Sequence, residues 1–119
     1  MIRTLFLLLL LTLTACTTPL ELGERRYREG DRVAALDIWR SVDRDSLYYA
    51  AVQRRIKEVE DESARLVALF KKRSSYYERK GRLAESVLNY RLALQLRPND
   101  RAILDHVQVL VRTLAARVE

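Results

Sequence analysis

The chain has 119 residues, of which 49% are apolar and 32% charged, and it carries a formal net charge of +6. That balance excludes a disordered chain and leaves room for about one small domain. Three glycines, two prolines and no alternating run between turn residues exclude a β-rich fold, so a domain this small is expected to be all-α, with local contacts. Arginine outnumbers lysine eighteen to four. Such a surplus is either the solvated outer face of helices or an attraction to an anionic surface or acidic partner.

In chain order, the first feature is Arg3 followed by an apolar run from Leu5 to Leu13 and the small-residue exit Thr14-Ala15 before Cys16. A basic start, a short apolar middle and a small-residue exit form the layout of a secretory signal, and the run is too short to cross a bilayer. Thr18-Pro19-Leu20-Glu21 then reads as a capping box opening a helix that stops at Gly30. Asp31 caps a second helix through about Val42, with Ala35, Ile38, Trp39 and Val42 on its inner face. Asp43-Arg44-Asp45-Ser46 makes a turn and the next cap.

Residues 46–80 contain neither glycine nor proline. Val52, Ile56, Val59, Ser63, Leu66, Phe70, Ser74 and Tyr77 step by four and three, the spacing of a helical stripe close to a heptad seam. One long helix is expected, with a break at Asp61-Glu62-Ser63 as the alternative. Gly81 ends it, and a further helix runs from Arg82 to about Arg97. Pro98-Asn99-Asp100 closes that helix. A last one carries Leu104, Val107, Val111, Leu114 and Val118. Of the pairs Tyr48-Tyr49 and Tyr76-Tyr77, one member each should pack and the other stay open, because neighbours on a helix face different ways.

The residues Leu13-Thr14-Ala15-Cys16 resemble the lipobox of bacterial lipoproteins. The resemblance implies a signal peptide over 1–15, cleavage before Cys16, and lipidation of its thiol and new amino end, with palmitate expected among the acyl chains. The alternative is an ordinary secretory signal with an incidental cysteine. A thiol so used leaves no disulfide, zinc site or thiol nucleophile. Thr17, in place of the aspartate linked with inner-membrane retention, implies the periplasmic face of the outer membrane in a Gram-negative host. Only Thr17 and Thr18 lie between Cys16 and Pro19, so the domain should sit against the bilayer, with Arg25, Arg26 and Arg28 near head groups.

The spacing after Gly30 (Ala35, Trp39, Val42) repeats after Gly81 (Ser86, Tyr90, Ala93), and Pro98 follows the second copy. This resembles the tetratricopeptide (TPR) repeat. Residues 67–100 match better, through Phe70, Tyr77, Gly81, Ser86, Tyr90, Ala93 and Pro98, although Arg73-Ser74 replaces the usual Leu-Gly. Residues 16–49 carry Leu22-Gly23 but have Arg26 at the aromatic position and Leu47 at the proline. The implied organisation is a helical domain over 16–119, with repeat-like units at 16–49 and 67–100, an intervening helix at 50–66 and a capping helix at 101–119. The alternative is an unrelated bundle of helical hairpins.

No catalytic pattern is present in the sequence. His106 is the only histidine and has no ligand partner at helical spacing. The carboxylates sit among arginines as surface ion pairs do. No metal spacing, P-loop or dinucleotide fingerprint occurs. The expectation is therefore a non-enzyme without cofactor or metal, and nucleic acid is an unsuited partner for an exported protein. By the TPR resemblance, the binding face comprises Lys71, Ser75, Glu78 and Arg79, joined from the last helix by Asp105, Val109, Arg112 and Thr113. Its mostly basic character implies an envelope adaptor that holds another protein through an acidic or carboxylate-bearing segment. Similar small repeat lipoproteins serve secretion, pilus or outer-membrane assembly. The second reading is a self-associating spacer at the membrane surface that uses the long-helix seam, and a homo-oligomer fits either.

Overall fold

The computed structural model describes residues 17–118. The expected signal segment and Cys16 lie outside the described residues. Those residues form five helices and no strand: α1 (Pro19–Arg28), α2 (Arg32–Arg40), α3 (Tyr49–Arg79), α4 (Leu83–Leu96) and α5 (Arg101–Val118). The caps follow the sequence. The Glu21 N–H donates to Thr18 Oγ1 at 3.2 Å, and the Ala34 N–H donates to Asp31 Oδ1 at 2.9 Å. Gly30 and Gly81 close the turns after α1 and α3 at φ +87° and +74°, the left-handed region in which a side chain is strained.

α3 is one unbroken helix of 31 residues, about 46 Å long. It starts at Tyr49 rather than Ser46, because Ser46 is used in the preceding turn, where its Oγ accepts the Tyr48 N–H at 3.2 Å. The polar stretch at Asp61-Glu62-Ser63 does not break it. Each carboxylate there meets a cation: Lys57 Nζ reaches Asp61 at 2.8 Å, Arg32 Nη2 reaches Glu62 at 3.0 Å, and Arg40 pairs with Glu60.

The buried residues of α3 are Val52, Ile56, Val59, Ser63, Val67 and Ser74. Val67 takes the place expected for Leu66, which is half-buried. The stripe therefore does not keep the heptad step. Val52, Ser63 and Ser74 recur every eleven residues, as do Ile56 and Val67. Eleven residues in three turns give about 3.67 per turn, close to the 3.6 of a straight helix, whereas a heptad repeat demands supercoiling.

Two apolar cores share this strut. The first joins Ala35, Leu36 and Trp39 of α2 to Val52, Ile56 and Val59 of α3, with Leu20 and Tyr27 of α1 at its edge. The second joins Val67 to Leu83, Val87, Tyr90 and Ala93 of α4 and to Ile103 and Leu110 of α5. Ser63 lies between them. Small residues set the close approaches. A Cβ on Gly23 would overlap Nε1, Cε2 and Cδ1 of the Trp39 indole, so only glycine lets α1 meet α2 here. Trp39 Nε1–H donates to the Leu20 carbonyl at 3.3 Å, which satisfies its one polar atom. Between α3 and α4 the same position is Ser74, whose buried hydroxyl donates to the Ser86 carbonyl at 2.9 Å.

α5 is turned by about one residue from the expected stripe. Ile103 and Leu110 are buried, with Val107 and Leu114 beside them, while Val111 and Val118 are exposed. Ile103-Leu104 and Leu110-Val111 are apolar doublets, which make two neighbouring stripes equally apolar. Contact with α4 selects between them.

Candidate functional site

The two ends of α3 differ first in charge. Residues 17–66 hold ten basic and eleven acidic side chains; residues 67–118 hold eleven basic and only four acidic. Near-neutrality at one end thus stands beside a net +7 at the other.

At the neutral end Arg32 and Arg55 are spent on carboxylates around Tyr27, while Arg25, Arg28, Arg44, Arg54 and Arg65 make no ion pair among the described residues. The Tyr27 hydroxyl donates to Glu62 Oε2 at 2.7 Å, and Arg32 Nη2 donates to Glu62 Oε1 at 3.0 Å. The Arg55 guanidinium lies 4.6 Å from the Tyr27 ring centroid and that of Arg32 5.3 Å, so the ring is flanked by two cations. Arg55 pairs with Glu24 and also donates to Glu58 at 3.0 Å. The hydrogen bond to Glu24 raises the Arg55 pKa further, against the opposing effect of burial. Arg32, then Tyr27, hold the Glu62 carboxyl below its ordinary value. This cluster fastens the α1–α2 hairpin to α3. Sequence reasoning looked for an aromatic at position 26 and found arginine. The aromatic is Tyr27, one residue on, and its spacing from Leu20 and Gly23 by seven and four is the available signal.

At the basic end, Lys71, Arg79, Asp105, Val109 and Arg112 are exposed, while Ser75 is half-buried. None of these expected site residues lines any of the clefts described below. Glu78 is occupied: His106 Nε2–H donates to its two oxygens at 2.9 and 3.1 Å, and the imidazole packs edge-on to Tyr90 at 5.3 Å. This contact brings α5 against the Ser75–Glu78 side of α3. Lys71, Lys72, Arg73, Arg79, Lys80 and Arg112 have no carboxylate within ion-pair distance among the described residues. Tyr76 is 50% exposed and Tyr77 half-buried, the division expected of adjacent helical residues; Tyr48 and Tyr49 divide the same way. A second face of α3, with Leu69, Lys72, Arg73 and Tyr76 around an open cleft of about 310 Å³, was not singled out by the sequence.

A cleft of about 600 Å³ lies where the two cores part. Leu36, Arg40, Glu60, Ser63, Leu96 and Pro98 are among its walls. Its carboxylates face Arg40 and Lys57 and are already paired. No group of three or more histidine, cysteine, aspartate or glutamate side chains placed to hold a metal occurs among the described residues. Nor is any helix among them long and apolar enough to cross a membrane. No family model matches this chain, and neither a curated protein nor a solved structure is detectably similar to it.

Proposed function

We propose that the chain is a lipid-anchored envelope adaptor of TPR-like build, in which the α3–α4–α5 end holds an acidic segment of another envelope protein. The observation that carries the reading is the unspent charge: a net +7 over residues 67–118, with Lys71, Arg79 and Arg112 exposed and unpaired among the described residues. Desolvating a cation costs free energy, so cations left in water, without carboxylates, are available for a partner that brings its own. Two helical hairpins whose crossings are set by Gly23 against Trp39 and by Ser74 against Ser86 support the repeat-like part of the reading. In it, α5 is the capping helix, and Ser75, Asp105 and Val109 border the basic residues.

The anchor rests on the lipobox-like Leu13–Cys16 alone. Cys16→Ser should leave the precursor uncut and release it from membrane fractions, and a free thiol in the wild-type protein would end that part of the reading. The partner site is tested separately. Charge reversal of Lys71, Arg79 and Arg112, alone and together, should reduce in-cell crosslinking to the partner with unchanged melting; undiminished capture by the triple variant refutes the site. The spacer reading has less to draw on. Its seam residues Val52, Ile56, Val59 and Ser74 are already covered by α2 and α4, so pairing of two chains through them would require opening both cores.

A further inference from the structure

Lys72, Arg73 and Tyr76 follow Leu69 along α3 by three, four and seven residues, and Lys80, the C-cap, lies four beyond Tyr76, which puts them on one face of the helix. That face is distinct from the one formed by Lys71, Ser75 and Glu78, against which His106 of α5 is packed. On this face Leu69 is 39% exposed and Tyr76, two turns on, is 50% exposed. Both are framed by cations that lack a carboxylate partner among the described residues. The Lys80 ammonium lies 5.7 Å from the Tyr76 ring centroid, and the Tyr77 ring meets that of Tyr76 edge-on at 5.5 Å. An apolar centre with an amphipathic tyrosine and long cationic stems at its rim has the composition of a surface that rests at a lipid–water boundary.

We infer that this face of α3 docks on an anionic lipid surface, with Leu69 and Tyr76 entering the head-group layer and Lys72, Arg73 and Lys80 meeting lipid phosphates. Three features select lipid over an acidic polypeptide. The patch, with its shallow open depression, is walled by side chains of α3 alone and is not a groove between two helices. Its three cations carry long flexible stems that reach outward around the apolar pair. They rim an apolar pair, Leu69 and Tyr76, which a bilayer interface can cover and an acidic segment cannot use. The inference rests on the envelope reading only for where such a surface is met.

The test uses the full chain reconstituted into vesicles, so that it does not depend on how the chain is held there. Tyr76→Trp places a reporter in the patch, read as the difference from the wild type, whose only tryptophan is the buried Trp39. Val109→Trp on α5 is the control, and Leu69→Trp is a second reporter should Tyr76→Trp disturb the helix. Brominated phosphatidylcholine should quench the reporters at 76 and 69 in vesicles containing phosphatidylglycerol, and much less in phosphatidylcholine alone. The reporter at 109 should be spared in both. Neutralising Lys72, Arg73 and Lys80 to glutamine should lower the docked-to-undocked ratio about fivefold each, roughly a hundredfold together. Equal quenching at 76 and 109, or quenching at 76 that ignores lipid charge, overturns the inference. So does shielding of position 76 from acrylamide by polyglutamate but not by anionic vesicles, which identifies an acidic polypeptide as the occupant. None of these readouts depends on Cys16 lipidation or on the partner site at Lys71, Arg79 and Arg112.

Discussion

Residues 17–66 and 67–118 pack against the same helix but treat their charges in opposite ways. In the first half, Glu24, Glu58, Glu60, Asp61 and Glu62 all meet cations, and two arginines also flank Tyr27. In the second, helices α4 and α5 are held by a continuous apolar cluster, with one buried serine bond and one His106–Glu78 contact as its main polar links. The difference teaches that, apart from Arg82 with its Glu85 pair, the cations of the second half form no ion pair that holds the fold among the described residues. A structure that closes without them leaves them for something outside the chain.

The largest expected effects test whether the halves are comparable as cores. Trp39→Ala and Tyr90→Ala should each cost about 3–5 kcal/mol in urea unfolding, the usual range for large buried aromatics. Amide hydrogen exchange should then quicken first in the half that carries the substitution. Uniform quickening in both would show one cooperative unit and erase the division.

Smaller effects should separate the halves by the kind of contact that holds them. Tyr27→Phe or Glu62→Gln should destabilise by about 1 kcal/mol, the low end for a charged hydrogen bond because Glu62 is about a third exposed. Glu78→Gln at the other end removes a comparably exposed contact that lacks flanking arginines, and should cost less. The order reverses if the polar cluster around Tyr27 contributes nothing beyond packing.

Acid should sharpen the same contrast. Arg32 and Tyr27 lower the Glu62 pKa from the usual 4.5, so folding disfavours its protonation. The stability from this group is fully present above about 4.5 and is lost as pH falls through the lowered folded value. Hydrogen exchange between pH 6 and pH 3 should therefore loosen residues 17–66 before residues 67–118, and Glu62→Gln should remove part of that difference. Salt should give the smallest effect, a few tenths of a kcal/mol. It screens repulsion among the cations of the second half and weakens the exposed pairs of the first, so the two halves should respond with opposite sign.

Much of the architecture is legible in the residues. Thr18, Asp31, Gly30 and Gly81 mark helix ends by local chemistry that needs no tertiary context. Trp39, Tyr90, Ala35 and Ser86 occupy their expected buried places because each is fixed by spacing from a glycine turn. What misled is the apolar doublet. At Leu66-Val67, Ile103-Leu104 and Leu110-Val111 either member can lead a stripe, and only contact between helices chooses. Tyr27 escaped for a related reason, since its role comes from Arg32, Arg55 and Glu62, which are distant in sequence. The separation of charge between the ends of α3 is plain in the residue order, but its meaning depends on which carboxylates fold back onto which cations.

The central claim, that the surplus charge of the second half meets a partner while the first half balances its cations with as many carboxylates, is met most directly by photo-crosslinking in intact cells. A photoreactive residue is placed singly at Arg79 and Arg112 in the second half, and at Arg54 and Lys57 in the first. The account expects one discrete protein adduct from Arg79 and Arg112, lost on charge reversal at Lys71, and none from Arg54 or Lys57. The same adduct from both halves, or adducts from Arg54 and Lys57 alone, would contradict it.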